Sequence, residues 1–175
     1  YTIDYEDLER KAADPKVKVM LLCNPHNPAG RGWKREELVH IGKICIRHGV
    51  TVVSDEIHCE LVFPGHRYTP FASVSEDFLR HSVTCISPSK AFNIAGLQIA
   101  NIVCADADHR AKIDRAINDN EVCDVNPFGV IATQAAYNEG EEWLNQLIEY
   151  LHGNYLYMWE FCREHLPEFP VTVLE

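Results

Sequence analysis

Three short apolar runs punctuate the first half of this chain: Val17 to Cys23, Val50 to Ser54 and Ser82 to Ile86. Each is too short for a stable helix, is bounded by polar or turn-forming residues, and is predicted to be a buried strand. Between the first two, Leu38, Ile41, Ile44 or Cys45, and His48 fall at helical spacing, with Gly49 placed to end the helix in a left-handed cap. Between the second and third, Glu76 to Arg80 is predicted to be a shorter helix. Strands that alternate with helices form a parallel sheet, because parallel neighbours need a crossover between them. A fourth strand is expected over Ile99 to Cys104. Too few residues precede it for a crossover, so it is expected to run antiparallel. The predicted class is α/β with a mostly parallel sheet.

That topology gives the strand ends their meaning. Open parallel sheets bind ligands at the carboxyl ends of their strands. The first strand runs into Asn24-Pro25-His26-Asn27-Pro28-Ala29-Gly30, whose prolines and glycine impose an irregular loop. The second ends in Asp55-Glu56-Ile57-His58 and the third in Ser87-Pro88-Ser89-Lys90. All three polar ends are expected on one edge.

The remainder frames this core. Asp4 caps a short helix that carries acids in its first turn and stops at Asp14-Pro15. Beyond the fourth strand, helices are expected at about 107–119, 127–138 and 141–165, ended by Pro167 and Pro170, with Val171 to Leu174 as the start of a further strand. The net charge of −10 is the wrong sign for a nucleic-acid or anionic-membrane surface. The apolar runs are too short to span a bilayer. Seven cysteines, odd in number and without a CxxC pair, read as reduced, small hydrophobic residues of a cytoplasmic protein. No histidine or cysteine spacing matches a structural metal site. The chain opens on acidic residues without an initiator Met or a signal peptide, and is expected to be a piece of something longer.

An acid ending one buried strand and a lysine just after its neighbour fit a structural ion pair. They also fit a site for a pyridine ring. Such a ring needs a carboxylate at its nitrogen, a lysine for a covalent link and small donors for a phosphate. Asp55, Lys90, Ser87 and Ser89 match those needs. Pro25, Pro28 and Gly30 also fit a purely loop-shaping role, and Gly96 a turn.

The three segments, the third extended as Ser87-Pro88-Ser89-Lys90-Ala91-Phe92-Asn93-Ile94-Ala95-Gly96-Leu97-Gln98, together resemble the fold-type-I pyridoxal-phosphate enzymes of aminotransferase class I/II. Within that superfamily they look most like the cystathionine β-lyase branch, the MalY/PatB-type C–S lyases. The resemblance implies a three-layer αβα, PLP-transferase-like large domain, here truncated. It implies that Lys90 carries pyridoxal 5'-phosphate on its amine and moves the substrate Cα proton, and that Asp55 pairs with the pyridinium nitrogen. It further implies that Asn27 donates to the ring hydroxyl oxygen, that His58 reaches the same oxygen, and that Ser87 and Ser89 lie on the phosphate side, Ser87 in direct contact.

Aminotransferases of this class usually carry an Arg eight positions after the lysine, where this chain has Gln98. The replacement favours the lyase and removes one charge from the phosphate site. The resemblance therefore implies cleavage of cystathionine or related S-substituted cysteines by α,β-elimination to pyruvate, ammonia and a thiol. An aminotransferase with the same anchor is the alternative, and a regulatory or binding fragment that lost catalysis is the second. Residues 1–152 are expected to form most of the cofactor-binding domain. Residues 153–175 are expected to lead by a helix into a small C-terminal domain. The expected partners are a small amino-acid substrate and a second copy of the chain, with no nucleic acid, membrane or metal.

Overall fold

The computed structural model describes residues 1–175. Its four-stranded sheet has β1 (Val19–Cys23), β2 (Thr51–Asp55), β3 (Ser82–Ile86) and β4 (Asn101–Val103) in spatial order β1-β2-β3-β4. The first two pairings are parallel and β3 with β4 is antiparallel, as the short connection requires. Register places Cys23 opposite Asp55 and Asp55 opposite Cys85, so the carboxyl ends of β1, β2 and β3 lie level.

One face of the sheet is packed. Helices α1 (Tyr5–Ala12), α2 (Arg35–Arg47) and α3 (Glu76–Arg80) surround a cluster that includes Leu22, Val52, Leu38, Ile41, Ile44, Phe71 and Phe78. Burying each large side chain contributes roughly 1.5–3 kcal/mol. Capping follows the sequence. The Asp4 carboxylate accepts from Asp7 N at 2.9 Å. Gly49 closes α2 at φ +66°, where a Cβ would be strained. Gly42 lets α2 approach the ring of Phe78, which a Cβ there would strike. That ring stacks on Phe71 at 5.1 Å.

The other face is largely bare, which corrects the expectation of a buried first strand. Val19 is 51% exposed and Leu21 78%, while Leu22 beside them is 4% exposed. Within residues 1–175, β1 pairs only with β2 and is packed on one face. Helices α4 (Ala107–Asp119), α5 (Pro127–Glu139) and α6 (Glu141–His165) fall where they were expected, yet Gly129 is their only buried residue. The segment Val171 to Leu174 is not paired in a sheet within residues 1–175. It is held instead by Leu174 N to the Tyr155 hydroxyl at 3.3 Å and Glu175 N to Gly30 O at 2.9 Å.

Candidate active site

The loop after β1 is built by its own sequence. Both Asn-Pro bonds, Asn24-Pro25 and Asn27-Pro28, are cis. His26 N donates to Arg31 O at 2.7 Å and Gly30 N to His26 O at 2.8 Å, closing the loop on itself. Gly30 has φ +69°, and a Cβ there would also meet the side chain of Leu174. Trp33 anchors the base of the loop by donating its indole N–H to Cys23 O at 2.8 Å, and the Arg31 guanidinium lies 4.5 Å over its ring. The result leaves Asn27 exposed at the tip.

At the end of β2 the Asp55 carboxylate is half-buried and accepts from Ile57 N at 3.2 Å. By register, Cys23 and Cys85 flank it on the same sheet face. Burial, and then the Asp55 charge, push both thiols up from their ordinary range. His58 follows three residues on. Its imidazole is held below its ordinary value by burial first and by the Lys90 cation second, with Asp55 pulling the other way. His58 therefore lies within electrostatic reach of both groups. A cavity of about 180 Å³ takes Asn27, His26 and Arg31 on one side and His58 on the other.

The loop after β3 is a tight coil. Phe92 N donates to Pro88 O at 2.9 Å and Ile94 N to Ser89 O at 3.1 Å, while Asn93 and Gln98 sit at φ +53° and +52°. Phe92 packs on Trp143 and Tyr137, at 5.9 and 5.8 Å between ring centroids, which fixes the loop to α5 and α6. Lys90 is exposed on this coil, as is Gln98 further along it. None of the ion pairs in the molecule involves Lys90 or Asp55. The structural-ion-pair alternative is thereby removed, and an unpaired acid and an unpaired amine are left at neighbouring strand ends. The two serines differ. Ser87 is buried, donates from Oγ to Ile99 O at 2.6 Å and accepts from Ser89 N at 3.1 Å. Its hydroxyl closes the coil, while Ser89 is half-exposed.

Sequence reasoning missed Glu56. It is 1% exposed, and its carboxylate accepts from Ser54 Oγ at 2.8 Å, Phe71 N at 2.9 Å, Asn24 Nδ2 at 3.3 Å and the Tyr68 hydroxyl. The available signal was position: it directly follows Asp55, so its side chain points to the packed face.

The donor set fits a phosphorylated pyridine aldehyde: a carboxylate for the ring nitrogen, an amine free to form a covalent link, and an amide and imidazole on a shared cavity. No three His, Cys, Asp or Glu side chains gather as a metal site. No helix is long and apolar enough to cross a membrane.

Comparison with known proteins places the chain in a family of shared fold. The family pattern described as aminotransferase class I and II matches residues 1–173. Cystathionine beta-lyase PatB of Bacillus subtilis is 51% identical over 96% of this chain, which covers 43% of that relative. The crystal structure of cystalysin from Treponema denticola, which contains a pyridoxal 5'-phosphate cofactor, superposes with a TM-score of 0.94 at 34% identity, over 100% of this chain and 44% of that one. The PLP-bound C–S lyase from Staphylococcus hominis gives a TM-score of 0.86 at 39% identity, covering 95% of this chain and 41% of that one. The chain thus spans less than half the length of these relatives.

Proposed function

The chain belongs to the aminotransferase class I and II family, and from that premise we propose that it forms the cofactor-anchoring part of a pyridoxal-phosphate-dependent C–S β-lyase. The observation that carries the reading is an unpaired Asp55 at the end of β2 and an unpaired Lys90 on the coil after the neighbouring β3, with His58 within electrostatic reach of both and sharing a cavity with Asn27. The 51% identity to a cystathionine beta-lyase supports the lyase over the aminotransferase, as does Gln98 in place of an Arg.

When bound, the cofactor supplies an electron sink for negative charge at the substrate Cα. The residues of this chain supply the rest. Lys90 Nζ would hold the cofactor covalently and, once its amine is free, would take the substrate Cα proton. Positioned general bases typically contribute about 10²–10⁴-fold. The Asp55 carboxylate keeps the ring nitrogen protonated. Asn27 Nδ2 and the neutral His58 ring orient the ring through its hydroxyl oxygen. Ser89, with backbone amides of the coil, faces the phosphate. Loss of the Cα proton with departure of the β-sulfur as thiolate would leave an enamine acid, whose imine tautomer takes up water to release ammonia and pyruvate.

In this reading residues 1–152 are most of the cofactor-binding domain, and 153–175 lead towards a second one. The whole protein is a cytoplasmic homodimer acting on a small S-substituted amino acid. The test uses the full-length protein. Borohydride should fix the cofactor on Lys90, Lys90→Ala should abolish the adduct, and cystathionine should yield pyruvate with no keto acid added. Strict dependence on a keto-acid acceptor would replace the lyase with an aminotransferase. An adduct on another lysine would overturn the site.

A further inference from the structure

We propose that Glu56 is a positioning residue: it locks the loop that bears Asn27 to the loop that bears Asp55 and His58, and so fixes the spacing of the groups that face the cofactor ring. The proposal rests on the cofactor site proposed above. A buried carboxylate is costly unless donors surround it. Here no cation does so, and the donors come from separate pieces of chain. Ser54 lies within β2. Asn24 opens the loop after β1, three residues before Asn27. Tyr68 and Phe71 belong to the long connection that returns to β3. Asn24 is held twice, since its Nδ2 also donates to Thr69 O at 2.9 Å.

The backbone explains why this acid acts on the site from behind. Asn24 N donates to Asp55 O and Glu56 N to Cys85 O, both at 2.8 Å, so the ladder continues one residue past each strand. Alternation then sends Asp55 to the open face and Glu56 to the packed face. Asp55 and His58 are thus carried on a backbone whose far side is tied to the neighbouring loop through one carboxylate. Burial and the Glu56 charge push the Tyr68 phenol well above its ordinary range, which keeps it a donor.

The experiment compares wild type, Glu56→Gln and Tyr68→Phe in the full-length protein. Gln keeps the shape but turns an N–H₂ towards donors, leaving one of them unpartnered. In the cofactor-free protein, amide exchange at His26, Gly30, Cys59 and Leu61 should rise about tenfold or more in Glu56→Gln, with amides of α2 unchanged. In the loaded protein, the pH midpoint of the visible absorbance should move and cofactor affinity should fall about tenfold, a loss of about 1.4 kcal/mol. Tyr68→Phe should shift every readout in the same direction by less, and it decides the matter if Glu56→Gln does not fold. Uniformly faster exchange that includes α2, with midpoint and affinity unmoved, would reduce Glu56 to a core residue and overturn the proposal. Failure of borohydride to trap the cofactor on Lys90 in wild type would instead overturn the site reading, and the cofactor-free exchange would still decide the loop lock.

Discussion

Replacing Ser87 by Ala separates two roles that look alike in sequence. Its hydroxyl donates to Ile99 O at 2.6 Å and accepts from Ser89 N at 3.1 Å, inside a buried turn. Removing it deletes two neutral hydrogen bonds, each worth about 0.5–1.5 kcal/mol net, and leaves a carbonyl and an amide short of partners. The expected loss is about 1–3 kcal/mol of stability. For a domain of this size that is a fall of roughly 2–4 °C in Tm per kcal/mol. Ser89→Ala removes no such internal closure and should cost under about 0.5 kcal/mol, as surface changes do. Its effect should fall on the cofactor: without the Ser89 hydroxyl the phosphate has one donor fewer, and Kd should weaken about tenfold. The assay is urea unfolding of each variant, with cofactor titration by absorbance in the full-length protein. If Ser87→Ala unfolds at the wild-type urea concentration yet binds cofactor more weakly, the hydroxyl serves the phosphate and the turn-closing account is refuted.

Three further outcomes concern the same site. Asp55→Asn in the full-length protein should keep the covalent adduct but slow exchange of the substrate Cα proton by about 10²-fold or more; an unchanged exchange rate would remove the acid from the chemistry. His58 is held below its ordinary 6.5 by burial and by Lys90, so the folded state binds fewer protons than the unfolded one. Stability should therefore fall as pH drops through the unfolded value and on to the lower folded one, and His58→Gln should flatten that limb in urea midpoints taken from about pH 8 to pH 5; an identical slope in the variant would contradict the assignment. Gln98→Arg should tighten cofactor binding about tenfold by adding a charge-assisted hydrogen bond, whereas an unchanged Kd would place that side chain away from the phosphate.

The elements that were legible in the sequence are those fixed by local rules. Asp4 capping α1, Gly49 ending α2 and the antiparallel return to β4 each depend on a few neighbouring residues. The gathering of Asn24–Gly30, Asp55–His58 and Ser87–Lys90 on one edge followed from topology, because consecutive parallel strands end on the same side. What was not legible depends on which face a residue meets. The run Val19 to Cys23 is apolar throughout, and its composition does not reveal that Leu21 lies bare while Leu22 is buried. Ser87 and Ser89 are identical letters two positions apart, and only the turn distinguishes the hydroxyl it consumes from the one it leaves.

The alternation of a strand explains how one dipeptide can serve both the chemistry and the scaffold. Asp55 and Glu56 differ by one methylene, yet the pleat sends them to opposite faces. On the open face an acid without a cation is solvated and available, flanked by the neutral thiols of Cys23 and Cys85. On the packed face an acid is tolerable only when donors surround it, and the donors available there are those of the adjoining loops. Satisfying the buried acid ties the loop that bears Asn27 to the backbone that bears Asp55 and His58, which is the basis of the positioning role proposed for Glu56. Exchanging the two residues would put the longer carboxylate on the open face. The shorter one would then sit about 1.5 Å, one C–C bond, short of Phe71 N and the Tyr68 hydroxyl. The order Asp-Glu follows from those distances.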